Sequence, residues 1–229
     1  MNSPVILHLK VPRENDRGPV AMEAIFTGLS ELFRHHPTTI SCEIVVRGGF
    51  LYFFLVCERS VVDIVRGQLF SQYPNLEIDE VKDFTANLSP STHSTLLKLE
   101  RPDAYPLKTF RELESDFLAT LSGLSTSVGT NELVCIQLIV TPQNTEGVSY
   151  KLKELFRASW RQTMRKNSQS LFTSSIRIVA DASGKSELLA TSVAALFKTL
   201  DNANSNSLKI WKHIHDQKAV DMVRSRQIY

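Results

Sequence analysis

The sequence predicts an α+β fold built from two successive units with the same order of elements. Hydrophobic residues make up 42% of its 229 residues, which is enough apolar material for real cores. Apolar residues alternate in some segments, as in strands, and recur at helical spacing in others. The order strand, helix, strand, strand, helix, strand occurs twice, with one additional helix in the second copy. This order is that of the ferredoxin-like βαββαβ unit, so we expect two such units in tandem.

The first predicted unit covers residues 1–84. A helix should start at Pro19, because proline is favoured at the first helical position. A tight hairpin is expected at Gly48 and Gly49, since glycine tolerates positive φ. Ser60, followed by Asp63 three residues later, predicts a capping box for a second helix. The predicted strands lie at residues 5–9, 40–46 and 50–57 and begin again at 76–78, and the predicted apolar helix faces are Ala21, Ile25, Gly28, Leu29 and Leu32, then Val61, Ile64, Val65 and Leu69.

Residues 85–93 are polar and predict a linker, and residues 94–212 predict the second unit. Residues 213–229 predict a C-terminal helix that leads toward a downstream region. The second unit's predicted strands lie at residues 95–100, 133–140, 176–180 and 208–211. Its predicted helix faces are Phe110, Leu113, Phe117, Leu118 and Leu121, then Leu152, Leu155, Phe156, Ser159 and Trp160 for the additional helix, and finally Leu188, Leu189, Val193 and Leu196.

The composition of the chain indicates its cellular compartment but points to no particular binding partner. The formal net charge is +2, so any basic patch must be local. The three cysteines form no CxxC motif and lie in strand-like runs, which indicates buried thiols in a reducing compartment. No apolar run approaches the roughly 18 residues of a membrane span, and the N-terminus lacks the apolar core of a signal peptide. We therefore expect a cytoplasmic chain, associated with a membrane only through partners or further regions.

Two motif look-alikes do not carry the chemistry they suggest. Gly184, Lys185 and Ser186 stand where a phosphate-binding loop would, but Val179 occupies the position of its first glycine. The motif is therefore interpreted as a helix start capped by Ser183 or Asp181. The aromatic run at residues 50–54 resembles an RNA-stacking strand but is out of register, so we expect it to fill a sheet.

No catalytic, cofactor or metal site is predicted. The pairs His35–His36 and His213–His215 have no cysteine or carboxylate at ligand spacing. Serine, histidine and acidic residues are present, but no GxSxG elbow organises a nucleophile. The chain is therefore not expected to be an enzyme.

The clearest local charge pattern is a basic helix face. Lys153, Arg157, Arg161 and Arg165 recur every four residues and thus share one side of the predicted additional helix. A solvated face and a surface for nucleic acid or an acidic partner both remain open. These four residues are the candidate partner or nucleic-acid surface.

Seven stretches together resemble one protein family over nearly the whole chain: Val11-Pro12-Arg13-Glu14, Val20-Ala21-Met22-Glu23-Ala24-Ile25-Phe26, Glu43-Ile44-Val45, Gly67-Gln68-Leu69-Phe70-Ser71-Gln72-Tyr73-Pro74-Asn75-Leu76-Glu77-Ile78, Tyr105-Pro106-Leu107-Lys108-Thr109-Phe110, Ile176-Arg177-Ile178-Val179-Ala180 and Asn206-Ser207-Leu208-Lys209. In these stretches the chain resembles the N-terminal, motor-less region of bacterial ATPases similar to type IV secretion coupling proteins and conjugative DNA pumps. In that family the phosphate-binding loop and the acidic metal-binding motif lie further downstream.

The resemblance implies a non-catalytic accessory or assembly domain of a secretion or conjugation ATPase. Its implied partners are the transfer machinery or other copies of the chain, with nucleic acid as a further possibility. Two alternatives remain open: a stand-alone nucleic-acid-binding module, and an enzyme with an unrecognised small-molecule pocket.

Overall fold

The computed structural model describes residues 4–143, except 13, 16, 36, 104 and 114, and residues 172–229. The strands are β1 (Pro4–Lys10), β2 (Ile40–Arg47), β3 (Phe50–Glu58), β4 (Glu77–Val81), β5 (His93–Leu99), β6 (Leu133–Pro142), β7 (Phe172–Asp181) and β8 (Leu208–His215). The α-helices of the described residues are α1 (Pro19–Leu32), α2 (Val62–Gln72), α3 (Phe117–Ser125), α4 (Ser186–Leu196) and α5 (Asp216–Ser225). None of these helices combines the length and apolar character needed to cross a membrane.

The eight strands form one open sheet in the order β4-β1-β3-β2-β6-β7-β5-β8. All neighbouring strands are antiparallel, so the second half does not form a parallel, doubly wound sheet. Within each half the strands lie in the same spatial order: fourth, first, third, second. The halves meet where β2 pairs with β6. The α+β class predicted from the sequence is therefore confirmed.

One face of the sheet is covered by α1 to α4. Ile25 and Leu29 of α1 pack with Val65 of α2 over the first half, and α3 and α4 build a second core over the other half. The strands at the seam contribute to both cores. In β2, Ile40 joins the first core and Val46 the second, and these positions share a face because their separation is even. The two cores thus lie side by side on the same face of the sheet, one on each side of the seam.

The opposite face is covered by α5 and by a 3₁₀ turn at Phe84–Asn87. Val223 of α5 packs on Val45, Cys135 and Val179, all of which are almost fully buried. Near the seam this face is therefore buried under the C-terminal helix and the segment after β4.

The aromatic strand β3 is not an open stacking platform. Phe54 is half-buried, and its ring centroid lies 5.4 Å from that of Phe84 and 5.0 Å from that of His8. Only Phe50, at the hairpin, is strongly exposed, at 69%. Gly48 and Gly49 both have positive φ (56° and 83°), which is the conformation that the predicted two-residue hairpin requires.

Several helix boundaries differ from the prediction. A 3₁₀ turn at Arg59–Val61 precedes α2, and the Ser60 hydroxyl donates to the Glu58 carboxylate at 3.4 Å instead of capping the helix. Because α2 starts later than predicted, a different side of the helix faces the core: Val62 is buried, and Ile64 is 44% exposed. In α1, Leu32 is exposed and Phe33 is buried in its place.

The predicted helix around Phe110 to Leu121 is divided. A 3₁₀ turn occupies Phe110–Glu112, and α3 starts only after Asp116, whose carboxylate accepts from the backbone N–H of Leu118 at 2.9 Å. The last strand, β8, also runs four residues beyond the predicted end. The predicted helix around residues 152–160 lies outside the described residues.

Candidate functional site

Three histidines form a contact cluster at one end of the sheet. His93 is the first residue of β5 and His215 the last of β8, and these two positions are directly paired. Their Nδ1 atoms lie 3.1 Å apart. The other ring nitrogen of His93, Nε2, lies 3.0 Å from His213 Nδ1. His93 therefore lies between the two histidines of the edge strand.

The strand geometry explains why these side chains meet. His213 and His215 are two residues apart on β8 and so point to the same face of the sheet. His93 and Thr95 face the same side on β5, because Thr95 lies opposite Ile178, a residue of the core under α4. The cluster is therefore on the helix-covered face.

A carboxylate completes the cluster. Glu187 is in the first turn of α4, and its carboxylate, His93 and His215 offer ligand atoms that all lie within 4.8 Å of one another. No other group of three such residues of metal-ligating type was found in the described part of the chain. Of this cluster, only the His213–His215 pair was identified from the sequence, because His93 and Glu187 are distant from it along the chain. The two-residue spacing of the histidines on a strand was the available signal.

The surroundings of His93 favour its neutral form. Its side chain is buried, and burial, together with the neighbouring His215, lowers its pKa below the ordinary histidine value. Its Nε2 atom also lies 3.2 Å from Thr95 Oγ1. A neutral imidazole has one N–H donor and one acceptor nitrogen. The contacts at Nε2 therefore determine whether Nδ1 is the donor or the acceptor.

The cluster lines an open cleft of about 580 Å³ between β5, β8 and the start of α4. Gly184 turns the chain into α4 with φ of 74°. Asp216, the first residue of α5, has φ of 59°, and its backbone N–H donates to the Thr92 carbonyl at 3.1 Å. Solvent thus reaches Glu187 and His215, while His93 forms the buried wall.

The glycine-lysine-serine sequence beside this cleft is occupied by structural contacts. The Lys185 ammonium pairs with Glu132 at 2.8 Å and donates to the Ser127 carbonyl at 3.0 Å. The Ser186 hydroxyl accepts from the Ala182 N–H at 2.9 Å and donates back to the Ala182 carbonyl. The two groups that a phosphate-binding loop would direct at its ligand are thus engaged within the protein.

The predicted cap of this helix is wrong. The N-cap position is Lys185, and no side chain caps α4. Asp181 instead accepts hydrogen bonds from the backbone N–H of Ser89 at 2.8 Å and from the Ser91 hydroxyl at 3.2 Å. Asp181 therefore fixes the segment between the two halves.

A second polar cluster is buried on the opposite face of the sheet. Arg226 donates to Glu43 at 2.7 Å and to both oxygens of Asp83 at 2.8 and 3.1 Å. Gln137 donates to the same Glu43 oxygen at 2.9 Å. Burial works against the charge on Arg226, but Asp83 and Glu43 raise its pKa above the usual value. This cluster joins β2, β6, the segment after β4 and the C-terminus.

Arg177 extends this cluster along the sheet. It lies directly opposite Gln137 and is fully buried. Its guanidinium donates to the Met222 carbonyl at 2.5 Å and to the Gln227 carbonyl, and it lies 5.1 Å from the ring centroid of Tyr229. Burial lowers its pKa to about 10. Arg177 thus binds the carboxyl end of α5, where the helix dipole favours a cation.

The cysteines are free thiols; Cys57 and Cys135 are buried, as the sequence predicts, whereas Cys42 is half-buried. Burial raises the pKa of Cys42 to about 12 and that of Cys57 to about 11, so neither is a reactive thiolate at neutral pH. The predicted basic face of Lys153, Arg157, Arg161 and Arg165 lies outside the described residues.

Comparison of the chain with protein families, with curated proteins and with solved structures found no match.

Proposed function

We propose that this chain is a non-catalytic assembly module of a type IV secretion or conjugation-type ATPase, formed by two ferredoxin-like units fused edge to edge. The repeated strand order carries the proposal, since each half places its strands in the fourth, first, third, second order of that unit. The sequence resemblance to the motor-less region of such ATPases supplies the functional class. In this role the chain positions a motor against its channel, its substrate or its own copies.

The attachment of the basic segment supports a binding role. Pro142 at the end of β6 pairs directly with Phe172 at the start of β7, both central strands of the sheet. The two points of the sheet that residues 144–171 connect in the sequence are therefore adjacent. This segment carries six lysines and arginines against two glutamates, although the whole chain has a net charge of only +2. The positive charge of the chain is thus concentrated in one inserted segment.

The basic segment is tested by changing Arg157 and Arg161 together to Gln. We expect thermal stability to stay nearly unchanged and binding to an anionic partner to weaken, more strongly at low salt, where the Debye length is longer. Fluorescence anisotropy with labelled polyglutamate and with labelled single-stranded DNA, over a salt series, measures this. The matched control changes two exposed lysines elsewhere, Lys82 and Lys218, to Gln.

The two probes separate the functions. Binding of polyglutamate that depends on Arg157 and Arg161 supports an acidic protein partner. Binding of DNA alone, with a steep dependence on salt, would support a stand-alone nucleic-acid-binding module instead. A large drop in melting temperature with binding retained would make these arginines structural.

The link to an ATPase is tested in the genome. A GxxxxGK[ST] motif encoded downstream in the same reading frame, or in the adjacent gene, supports the proposal. Genomic copies of this chain that consistently lack such a neighbour would contradict it.

A further inference from the structure

We propose that His93, His215 and Glu187 bind one divalent transition-metal ion of the zinc type. This site is independent of the proposed assembly function, because it lies on β5, β8 and α4 and involves none of the basic segment. Two imidazoles and one carboxylate are a donor set that zinc uses in proteins when it keeps a fourth position open. Magnesium and calcium prefer sites made of oxygen ligands, so this set disfavours them.

The spacing of the donors fits such an ion. Zinc–nitrogen bonds of about 2.0–2.1 Å in a tetrahedral arrangement place two ligand nitrogens about 3.3 Å apart. The Nδ1 atoms of His93 and His215 are 3.1 Å apart, and both rings come from directly paired strand positions. Glu187 is on the exposed first turn of α4, and one of its carboxylate oxygens lies within 4.8 Å of a ligand nitrogen of each histidine.

The surroundings orient His93 for this role. Metal-binding histidines usually donate their second ring N–H to a protein acceptor, which fixes the tautomer. Here His93 Nε2 has two such acceptors, Thr95 Oγ1 at 3.2 Å and His213 Nδ1 at 3.0 Å. With the proton on Nε2, the lone pair of Nδ1 is free to bind an ion, and Nδ1 lies 3.1 Å from His215 Nδ1. His213 and Thr95 are thus positioning residues and not ligands.

The ion has a path of access and an open coordination position. His215 and Glu187 are exposed and line the cleft of about 580 Å³, whereas His93 is buried behind them. A water molecule or a group from a partner can occupy the remaining position. Binding would also tie the edge strand β8 to α4, since the ligands come from both elements.

Titration calorimetry with zinc chloride tests the site on tag-free chain that has been stripped with a chelator. We expect one ion per chain in the wild type. His215→Asn should abolish this binding, and Glu187→Gln should weaken it by about a hundredfold or more, beyond the 10- to 100-fold typical of residues that only orient a ligand. His35→Asn and Glu14→Gln, exposed residues outside the cluster, are the matched controls and should bind as the wild type does.

Cobalt substitution separates ligation from simple loss of fold. The visible spectrum of the cobalt-loaded wild type should show the intense bands of tetrahedral coordination, and His215→Asn should lose them while its melting temperature without metal stays unchanged. His213→Gln should keep the stoichiometry and the spectrum but bind about 10- to 100-fold more weakly. The proposal is overturned if the wild type binds no zinc, or if His215→Asn and Glu187→Gln bind as tightly as their controls. Neither result involves an acidic partner, so either is distinguishable from failure of the assembly function.

Discussion

At the scale of single residues, Arg226 joins the C-terminal helix to the sheet. Its guanidinium bonds both Glu43 and Asp83, and its backbone adopts a left-handed conformation with φ of 47° just after α5. The Glu43 side chain has no exposed surface and the Arg226 side chain only 6%. A buried ion pair is weak evidence for net stability, but removing one partner leaves an uncompensated charge in the interior.

Arg226→Ala should therefore lower the free energy of unfolding by about 3–5 kcal/mol, the usual cost of breaking a buried pair. Arg226→Lys should recover only part of this loss, because an ammonium cannot bond two carboxylates in the geometry of the guanidinium fork. Urea unfolding at neutral pH measures both. Arg59→Ala, which removes an exposed pair with Glu80, is the control and should cost at most about 1 kcal/mol. Equal losses in the two alanine variants would contradict the role of Arg226.

Asp83 makes this cluster sensitive to acid. Burial alone would raise its pKa, but hydrogen bonds from Arg226 and Thr85 hold it below the usual aspartate value. A carboxyl whose pKa is depressed by folding stabilises the protein above its unfolded pKa of about 3.9, and this contribution is lost as the pH falls through the folded pKa.

We therefore expect the stability difference between the wild type and Asp83→Asn to be constant from pH 7 to about pH 5 and to shrink below about pH 4. Denaturant midpoints over this pH series measure the difference. Asp79→Asn, which removes an exposed partner of Lys10, is the control and should show a much smaller difference throughout. A wild-type advantage that grows as the pH falls would refute the role of Asp83.

Sequence patterns could not predict either polar cluster. Glu43 stands in the interior of a mostly apolar strand, and its partners Asp83 and Arg226 are remote in the sequence. His93 and Glu187 are separated in the same way from His215. Local patterns report which face a residue occupies, whereas these clusters depend on which strands become neighbours. A lone charged residue inside an apolar strand was the one local sign that a buried partner exists.

At the scale of elements, strands were predicted more reliably than helix ends. The predicted bounds of β1, β2, β3 and β6 lie within two residues of the observed ones, because a short apolar run marks a buried strand directly. Helix starts depend on which side chain reaches the first free N–H groups, and tertiary contacts changed this choice. Ser60 bonds Glu58, and Asp181 bonds the segment around Ser89, so neither caps the helix that the sequence assigned to it.

The edge strand β8 is the element that carries the proposed metal ligand His215. It is exposed along most of its length, and it carries Lys209 and Lys212, charges of the kind that discourage pairing with another chain. The Lys98 ammonium lies 5.4 Å from the ring centroid of Trp211, an exposed aromatic of this strand. The proposed metal ligand His215 lies at the end of the same strand, so the site is on the border of the sheet and not in its centre.

At the scale of the whole molecule, the seam between β2 and β6 makes the two halves interdependent. Val140 of β6 is buried in the core under α1 and α2, and Val46 of β2 is buried in the core under α3 and α4. The negative charge of Glu43 in β2 is compensated by the guanidinium of Arg226, near the C-terminal end of the chain. The repeated order of elements was visible in the sequence. The seam was not, because no local pattern states which edge strands will pair.

Dividing the chain after Leu88 tests this interdependence. In the fragment 1–88 alone, β2 lacks its neighbouring strand and Glu43 lacks the guanidinium of Arg226. In the fragment 89–229 alone, β6 lacks its neighbouring strand. We expect neither fragment to be a stable monomer, since exposed apolar edges favour aggregation. Mixing the two fragments should restore a one-to-one complex with cooperative unfolding, as measured by size-exclusion chromatography and circular dichroism.

The same experiment has an internal control. Introducing Arg226→Ala into the second fragment should weaken reassociation, because the Glu43 carboxylate would then be buried at the seam without its partner. Arg59→Ala in the first fragment removes only a surface ion pair and should leave reassociation unchanged. A fragment 1–88 that unfolds cooperatively as a monomer, without the second fragment, would show that the first half is complete by itself. The seam would then be a contact between two independent domains and not the centre of one fold.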